Sequence, residues 1–589
     1  MKRIMSMVLA LCLLLTVFAM SGCGSKEAAD GDALKITYWI PAGEDSVYYP
    51  SYEENPCIRY LETKEFNGRK VDLNFFVPVA GAELDNFNTL LATEEYAGIL
   101  DMSRSTISAP ELYSDGIIYD LTPYLEQYMP NYMALLERFP HLKMYTTTQV
   151  DGETTYLEVY GIREKIQANF MGICYRRDWI AKYGKHPVTG EAFTYGFEVE
   201  NDGSTWSDNV VFPNGSAEPI YISDWEWMFE IFEVALADLG IKDGYCYSPY
   251  FKGYYEDGSF YSGFGGGAPQ WFMDKDGNAA FGATSENMRT YLKCLNTWYE
   301  NGWLDKQFAE HSSDLPYAID VEKVHSGKVG LWQGRTGELG AQMDTDDPWT
   351  DGIMVFGARQ PINDVYGTEA QKGKTPDSMY QMSQVSSSLV LTNKIAEEDL
   401  PTVLSMLDYL YTDEGGPLLS LGLTKEQADF IGDEVYAKFG LTNGTYVKNV
   451  AEDGTVSYTL DRIVWEDAQL GNAMCLNRIS SGVMTEEVVT AKNNSYDNYA
   501  IHAHDNWDFY TNTGYPERFI RAQFTTEESN AYNKVHANVD TFMSTNVPKF
   551  INGSLDIDND EDWADYCTML NKYSPEKITK VFQRLFTAQ

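Results

Sequence analysis

The sequence predicts a multi-domain α/β protein, and three observations carry that reading. Its 589 residues far exceed the roughly 250–300 at which a single hydrophobic core stops growing. Its first part alternates β-rich runs with helical patterns, as parallel βαβ units do. Its later part carries amphipathic helices with readable starts and stops. Apolar residues make up 44% of the chain and aromatics 14%, which supplies the core and excludes a disordered chain.

The strands come first. Leu34-Lys35-Ile36-Thr37-Tyr38-Trp39 and Val71-Asp72-Leu73-Asn74-Phe75-Phe76-Val77 are rich in β-branched and aromatic residues, and Ile99-Leu100-Asp101-Met102 is a shorter third. Ser223-Asp224-Trp225-Glu226 reads as a capping box. Behind it Trp225, Met228, Phe229, Phe232, Ala235, Leu236 and Leu239 recur at helical spacing until Gly240. A second helix places Met288, Tyr291, Leu292, Leu295 and Trp298 on one face and stops at Asn301-Gly302. A third starts near Pro401 and buries Leu400, Val403, Leu404, Leu407 and Leu410, with Gly415-Gly416 at its end. Ser574-Pro575 opens a last helix carrying Ile578, Val581, Phe582 and Leu585.

The N-terminus has the three parts of a secretory signal. Met1-Lys2-Arg3 is basic, Val8 to Met20 is almost unbroken apolar sequence, and Ser21-Gly22-Cys23 closes it. The apolar run falls short of the roughly 20 residues that span a bilayer. Gly24 to Asp32 then reads as a polar tether.

The formal charge is −43, from 87 acidic and 44 basic residues. Such a surface repels polyanions, so neither nucleic acid nor an anionic membrane surface is expected as a partner. Beyond Cys12 and Cys23 there are six cysteines: Cys57, Cys174, Cys246, Cys294, Cys475 and Cys567. None has CxxC spacing, so zinc and thioredoxin-like sites are not expected, and buried thiols are. A disulfide stays open, because the compartment permits one. No cofactor or metal is expected. Asp274-Lys275-Asp276-Gly277-Asn278 has its glycine too early for a calcium loop and reads as a hairpin turn. Gly367 to Thr375 misses P-loop spacing by one residue, and Asp556 to Asp562 reads as the solvated start of a helix. His502-Ala503-His504 sets two imidazoles on one strand face, with no third ligand close in sequence.

Several segments, taken in order, resemble the family 1 extracellular solute-binding proteins of ABC importers, the oligosaccharide-binding type. They are Tyr119-Asp120-Leu121-Thr122-Pro123-Tyr124, Gly172-Ile173-Cys174-Tyr175-Arg176-Arg177-Asp178-Trp179 and Trp298-Tyr299-Glu300-Asn301-Gly302-Trp303-Leu304-Asp305. Ser326-Gly327-Lys328-Val329-Gly330 and Tyr409-Leu410-Tyr411-Thr412-Asp413-Glu414-Gly415 complete the set. Glu94 to Asp101 departs from the family's usual Ser-Gly-Asp-x-Pro-Asp turn. The signal resembles that of a bacterial lipoprotein, with Met20 where leucine is usual. The resemblance implies a signal peptide over 1–22 and a lipid anchor at Cys23, with a tether over 23–33. It also implies a two-lobed, periplasmic-binding-protein-like (type II) clamshell. Lobe one would hold 34–170 and 330–390, and lobe two 171–329 and 391–589. Hinge crossings would fall near Asn169–Tyr175, Gly327–Trp332 and Ser386–Thr392.

A sugar site combines aromatic platforms with a few directed polar groups. Thirteen tryptophans and 41 tyrosines supply platforms in excess, and those on helix faces, such as Trp225, Trp298 and Trp303, are expected in the core. Trp39 at a strand end, Trp271 behind the glycine-rich loop Gly263–Gln270, and Trp332 at a crossing are the candidate platforms. Glu44, Arg104 and Gln333 are their polar companions, with Arg335 beside them.

Two functions fit. The first is a monomeric, lipid-anchored binding protein on the extracellular face of a bacterial membrane, not an enzyme. It would capture an oligosaccharide and deliver it to ABC transporter permease subunits. The second is a secreted lipoprotein glycosidase using two carboxylates, which 87 acidic residues could supply.

Overall fold

In the computed structural model, strand pairing among the described residues gives two main sheets and three two-stranded ribbons. The structure describes residues 33–43, 47–166, 169, 171–194, 209–256, 260–274, 276–311, 321–343, 352–376, 383–466, 468–493, 498–510 and 524–587. The signal-like segment, Cys23 and Glu44 lie outside them.

The first four strands of the two main sheets are Leu34–Trp39 (β1), Val71–Phe76 (β2), Ile99–Asp101 (β3) and Val159–Arg163 (β4). The next four, Met171–Arg176 (β5), Tyr245–Ser248 (β6), Val329–Arg335 (β7) and Val355–Ala358 (β8), form a separate four-stranded sheet in the order β8-β5-β7-β6. The chain then returns with Val385–Leu391 (β9) and Gly482–Met484 (β10). These complete a six-stranded sheet in the order β10-β4-β9-β3-β1-β2. Each sheet has its own core. Ile36, Leu73, Val159, Leu389 and Leu404 belong to the first; Ile173, Leu331, Trp298, Met543 and Phe582 belong to the second. The fold is the two-lobed clamshell.

The expected helices are present. Ile222–Asp238 (α1) starts one residue before the proposed capping box. Asp224 caps it, accepting the Tyr221 N–H at 2.9 Å, while Ser223 bonds Asp364. Glu286–Glu300 (α2) is capped by Ser285 and ends at Gly302, whose φ of 80° is the left-handed conformation that glycine adopts without a Cβ clash. Asn498–Trp507 (α3) follows β10, and Thr526–Ile551 (α4) and Pro575–Thr587 (α5) pack into the second core. The Leu400–Tyr409 helix packs in the first core and stops six residues before Gly415. Among the described residues, no helix is long and apolar enough to cross a membrane.

The lobe boundaries differ from those expected. Val329–Arg335 and Val355–Ala358 sit in the second sheet, because β7 pairs parallel with β6 and antiparallel with β5, and β8 pairs antiparallel with β5. The described residues of 391–484 sit with the first lobe, where Leu400, Val403, Leu407 and Val483 fill its core. Gly327–Trp332 and Ser386–Thr392 are therefore largely strand rather than hinge, and Met171–Arg176 is strand as well. Apolar patterning shows that a strand is buried, and says nothing of which sheet buries it.

Three connections join the sheets: Arg163 to Met171, Ala358 to Val385, and Met484 to Asn498. They all leave and enter at the same two edges. In the first lobe β1, β2 and β3 are parallel, and β4 runs with them because it is antiparallel to β9, itself antiparallel to β3. Arg163 therefore ends at the same edge as Trp39, Phe76 and Asp101. In the second lobe β6, β7 and β8 all end where β5 begins. The connections hold these two carboxyl-end edges opposite each other, and the space between them is the cleft.

Candidate functional site in the inter-lobe cleft

The two edges carry the residues that can meet a ligand, since open α/β sheets bind beyond the carboxyl ends of their strands. On the first lobe β2 runs out into Phe76, Val77, Val79 and Leu84, which are 40%, 44%, 78% and 41% exposed. These apolar side chains sit at the rim because the sheet ends under them. Beside them Asp101 is buried at the end of β3, with Ser103 and Ser480 donating to its carboxylate. Burial raises its pKa against those hydrogen bonds. Arg104 is exposed in the turn that follows, within electrostatic reach of Asp101.

On the second lobe the edge is more polar. Gln333 is 1% exposed, yet neither of its amide atoms has a hydrogen-bond partner among the described residues. Gln360, two residues past β8, is also buried, and its Oε1 is unpaired. A buried amide left unsatisfied costs about 1–3 kcal/mol, so native proteins fill such places with water or ligand. Arg359, next to Gln360 in the chain, donates through Nε to Asn506 Oδ1 at 2.9 Å and lies over the Phe509 ring, 3.6 Å from its centre. Asn506 is held by its own helix, donating to the His502 carbonyl at 3.2 Å, and His502 Nε2 donates to Glu218 Oε1 at 2.8 Å. Phe509 is 53% exposed just past the end of α3.

The three tryptophans proposed as platforms are core residues. Trp39 is fully buried, with its indole N–H on Asn86 Oδ1 at 2.8 Å and its ring edge-on to Phe87. Trp271 lies in a hairpin under the C-terminal helices. It donates to the Pro575 carbonyl at 3.2 Å and packs on Phe281 and His536. Trp332 is also fully buried, inside β7, although its indole N–H has no partner among the described residues. All three rings fill the lobe interior, at 0–1% exposure. Of the polar companions, Gln333 and Arg104 lie at the two edges, as does the exposed Arg335 at the end of β7.

Sequence reasoning missed Phe509, Arg359 and Asn506. The run Asn506-Trp507-Asp508-Phe509-Tyr510 interleaves aromatics with polar residues at a helix end, and that pattern is the one signal that points to them. The paired histidines, expected on a strand, lie on α3, where residues two apart point about 200° from each other. His504 turns inward to Thr336 Oγ1 at 2.8 Å while His502 faces Glu218, so the two do not share a ligand. Asp274 closes its hairpin by accepting the N–H groups of Asp276 and Asn278. Five of the six cysteines are buried and Cys567 is half-buried, all as free thiols.

No protein-family model matches the chain, and no curated protein matches it in sequence. Solved structures do match in fold. An extracellular solute-binding protein from Bifidobacterium longum subsp. infantis superposes with a TM-score of 0.64 at 15% identity, covering 95% of this chain and 99% of that one. The ABC-transporter substrate-binding protein FusA of S. pneumoniae, in complex with kestose, gives 0.63 at 15% identity over 94% and 99%. A solute-binding protein associated with an HMO-binding ABC transporter, from Bifidobacterium longum infantis, gives 0.60 at 14% identity over 95% and 99%. The similarity spans nearly the whole of each chain, so both lobes and their connections are shared.

Proposed function

We propose that the protein is the substrate-binding component of an ABC importer and that it captures an oligosaccharide in the inter-lobe cleft. The observation that carries this reading is the full-length match of a two-lobed fold to solute-binding proteins, two of which are described with kestose or HMO. The cleft agrees in chemistry. Exposed apolar side chains on one lobe face an edge of unpaired amides and a half-exposed aromatic ring on the other, the mixture a sugar's C–H faces and hydroxyls require. Phe509 is the platform, Gln333 and Gln360 are hydroxyl partners, and Arg104 and Arg335 border the cleft. Glu44 joins them as a polar companion on its place in sequence alone.

The protein acts by binding and release rather than by catalysis, as a monomer, and hands its ligand to permease subunits. It is held at the extracellular face by lipid on Cys23. Two acyl chains give a stable anchor where one gives only marginal binding.

A thermal-shift screen against oligosaccharides, peptides and amino acids tests the ligand class, because a ligand that binds only the native state raises its melting temperature. A shift confined to peptides would overturn the sugar reading, and a ligand recovered cleaved would overturn the binding-protein reading. Cys23→Ser should move the protein from the membrane fraction to the soluble one; an unchanged distribution would place the anchor elsewhere.

A further inference from the structure

Acidic residues outnumber basic ones by 87 to 44, and among the described residues many arginines are matched to carboxylates: Arg59 to Asp433, Arg138 to Glu164, Arg176 to Asp178, Arg289 to Asp560 and Arg584 to Glu528. Arg359 forms no ion pair with any described carboxylate. It is nevertheless held in place. Its Nε–H is fixed by Asn506 Oδ1, and one face of its guanidinium is covered by Phe509. Asn506 is anchored to the His502 carbonyl, and His502 is anchored to Glu218. Asp508, in the same helix end, is spent on the Asn169 main chain instead.

This arrangement leaves the terminal nitrogens of Arg359, with four N–H groups in one plane, at the cleft edge with no hydrogen-bond partner among the described residues. A guanidinium whose Nε is occupied and whose face is stacked is pre-organised to bond a carboxylate through its outer edge. Arginine is also always charged, so the site cannot be satisfied by losing a proton. Exposed Arg335 ends the next strand but one, and exposed Arg104 lies on the opposite edge. In a protein of formal charge −43, an anionic ligand would be repelled unless the cleft carried cations of its own.

We infer that Arg359 is the anchor for an acidic group on the ligand, and that the sugar bound is a carboxylate-bearing oligosaccharide. This rests on the oligosaccharide reading above. The carboxylate pairs with the terminal nitrogens of Arg359 while an adjoining sugar ring lies on the exposed part of Phe509. Asn506 is a positioning residue: it orients the guanidinium and does not touch the ligand.

The test is calorimetry on the full chain with matched pairs of probes: oligogalacturonate against its methyl ester, and sialyllactose against lactose. A panel of other neutral oligosaccharides runs alongside. At least one acidic member should bind wild type more tightly than its neutral counterpart, by on the order of 10- to 100-fold, and lose that margin as salt is raised. Arg359→Gln should abolish the preference, and Arg359→Lys should keep part of it, since lysine retains the charge without the fork. Melting temperatures for both variants separate lost binding from lost folding, and the salt dependence of wild type needs no variant at all. If neutral sugars bind and acidic ones gain nothing, Arg359 is not an anion anchor and the oligosaccharide reading stands. A preference that survives in folded Arg359→Gln overturns the anchor in the same way. If no sugar of either kind binds, both readings fall.

Discussion

Asp508 receives the main-chain N–H of Asn169 on both carboxylate oxygens, at 3.1 and 3.2 Å. Asn169 lies on the first connection between the lobes, and Asp508 follows α3, which the third connection enters. One carboxylate therefore ties the first connection to the far end of the helix that the third connection enters. Trp507 strengthens the junction by donating its indole N–H to the Ile173 carbonyl at 2.9 Å.

This carboxyl makes stability depend on pH. Burial pushes its pKa up to about 6 from the ordinary 3.8, with the Asn169 N–H opposing and Asp505 adding. A folded-state pKa above the unfolded one means that the folded protein binds the extra proton. The contribution is full below about pH 4 and is lost as pH rises through about 6. Melting temperatures of wild type and Asp508→Asn, compared from pH 4.5 to 7, should diverge in favour of the variant as pH rises. A constant difference would show that Asp508 does not titrate in this range.

His504 has the opposite sign. Burial lowers its pKa to about 4. A buried neutral imidazole contributes stability above about pH 6.5 that is lost as pH falls toward 4. His504→Gln keeps a polar partner for Thr336 and cannot charge. Its melting temperature should fall less than that of wild type between pH 6.5 and 4.5. Parallel curves would count against a titrating His504.

Trp271 and Phe509 should separate folding from binding. Trp271→Ala empties a packed site and should cost about 3–5 kcal/mol of stability, with ligand affinity unchanged where the variant is folded. Phe509→Ala should leave stability within about 0.5 kcal/mol and weaken binding by about 1–3 kcal/mol. Denaturant melts and calorimetry on both variants would reverse the assignment if the effects were exchanged.

Gln333 gives a sharper contrast. Its amide is buried and has no hydrogen-bond partner among the described residues, so Gln333→Leu removes a desolvated polar group at nearly constant volume. The variant should melt at the same temperature as wild type or higher, and should bind its ligand at least about tenfold more weakly. A variant that binds normally would show that the amide serves only internal water.

Three connections between two sheets also predict motion. A ligand touching both edges prefers the closed arrangement and should shift the ensemble toward it. Small-angle scattering should give a smaller radius of gyration at saturating ligand, and an unchanged radius would argue for a rigid cleft.

Local structure is legible in the chain itself. β1 reads directly from Leu34–Trp39, and α2 from Ser285 to Gly302, because strand alternation, caps and helical spacing depend on neighbouring residues. The two-lobed class follows from motifs in order. Long-range packing settles which lobe each later segment joins and which aromatics reach the cleft. β7 and the helix Leu400–Tyr409 carry equally apolar patterns, yet they fill different cores. Trp39 and Phe76 both end strands of the same sheet, but Trp39 is covered by Phe87 and Asn86 while Phe76 stays 40% exposed. Arg359, Asn506 and Phe509 meet only because β8 and α3, well over 100 residues apart in sequence, pack against each other. Burial and partnership are properties of the packed chain, set by residues far away in sequence, and no local pattern encodes them.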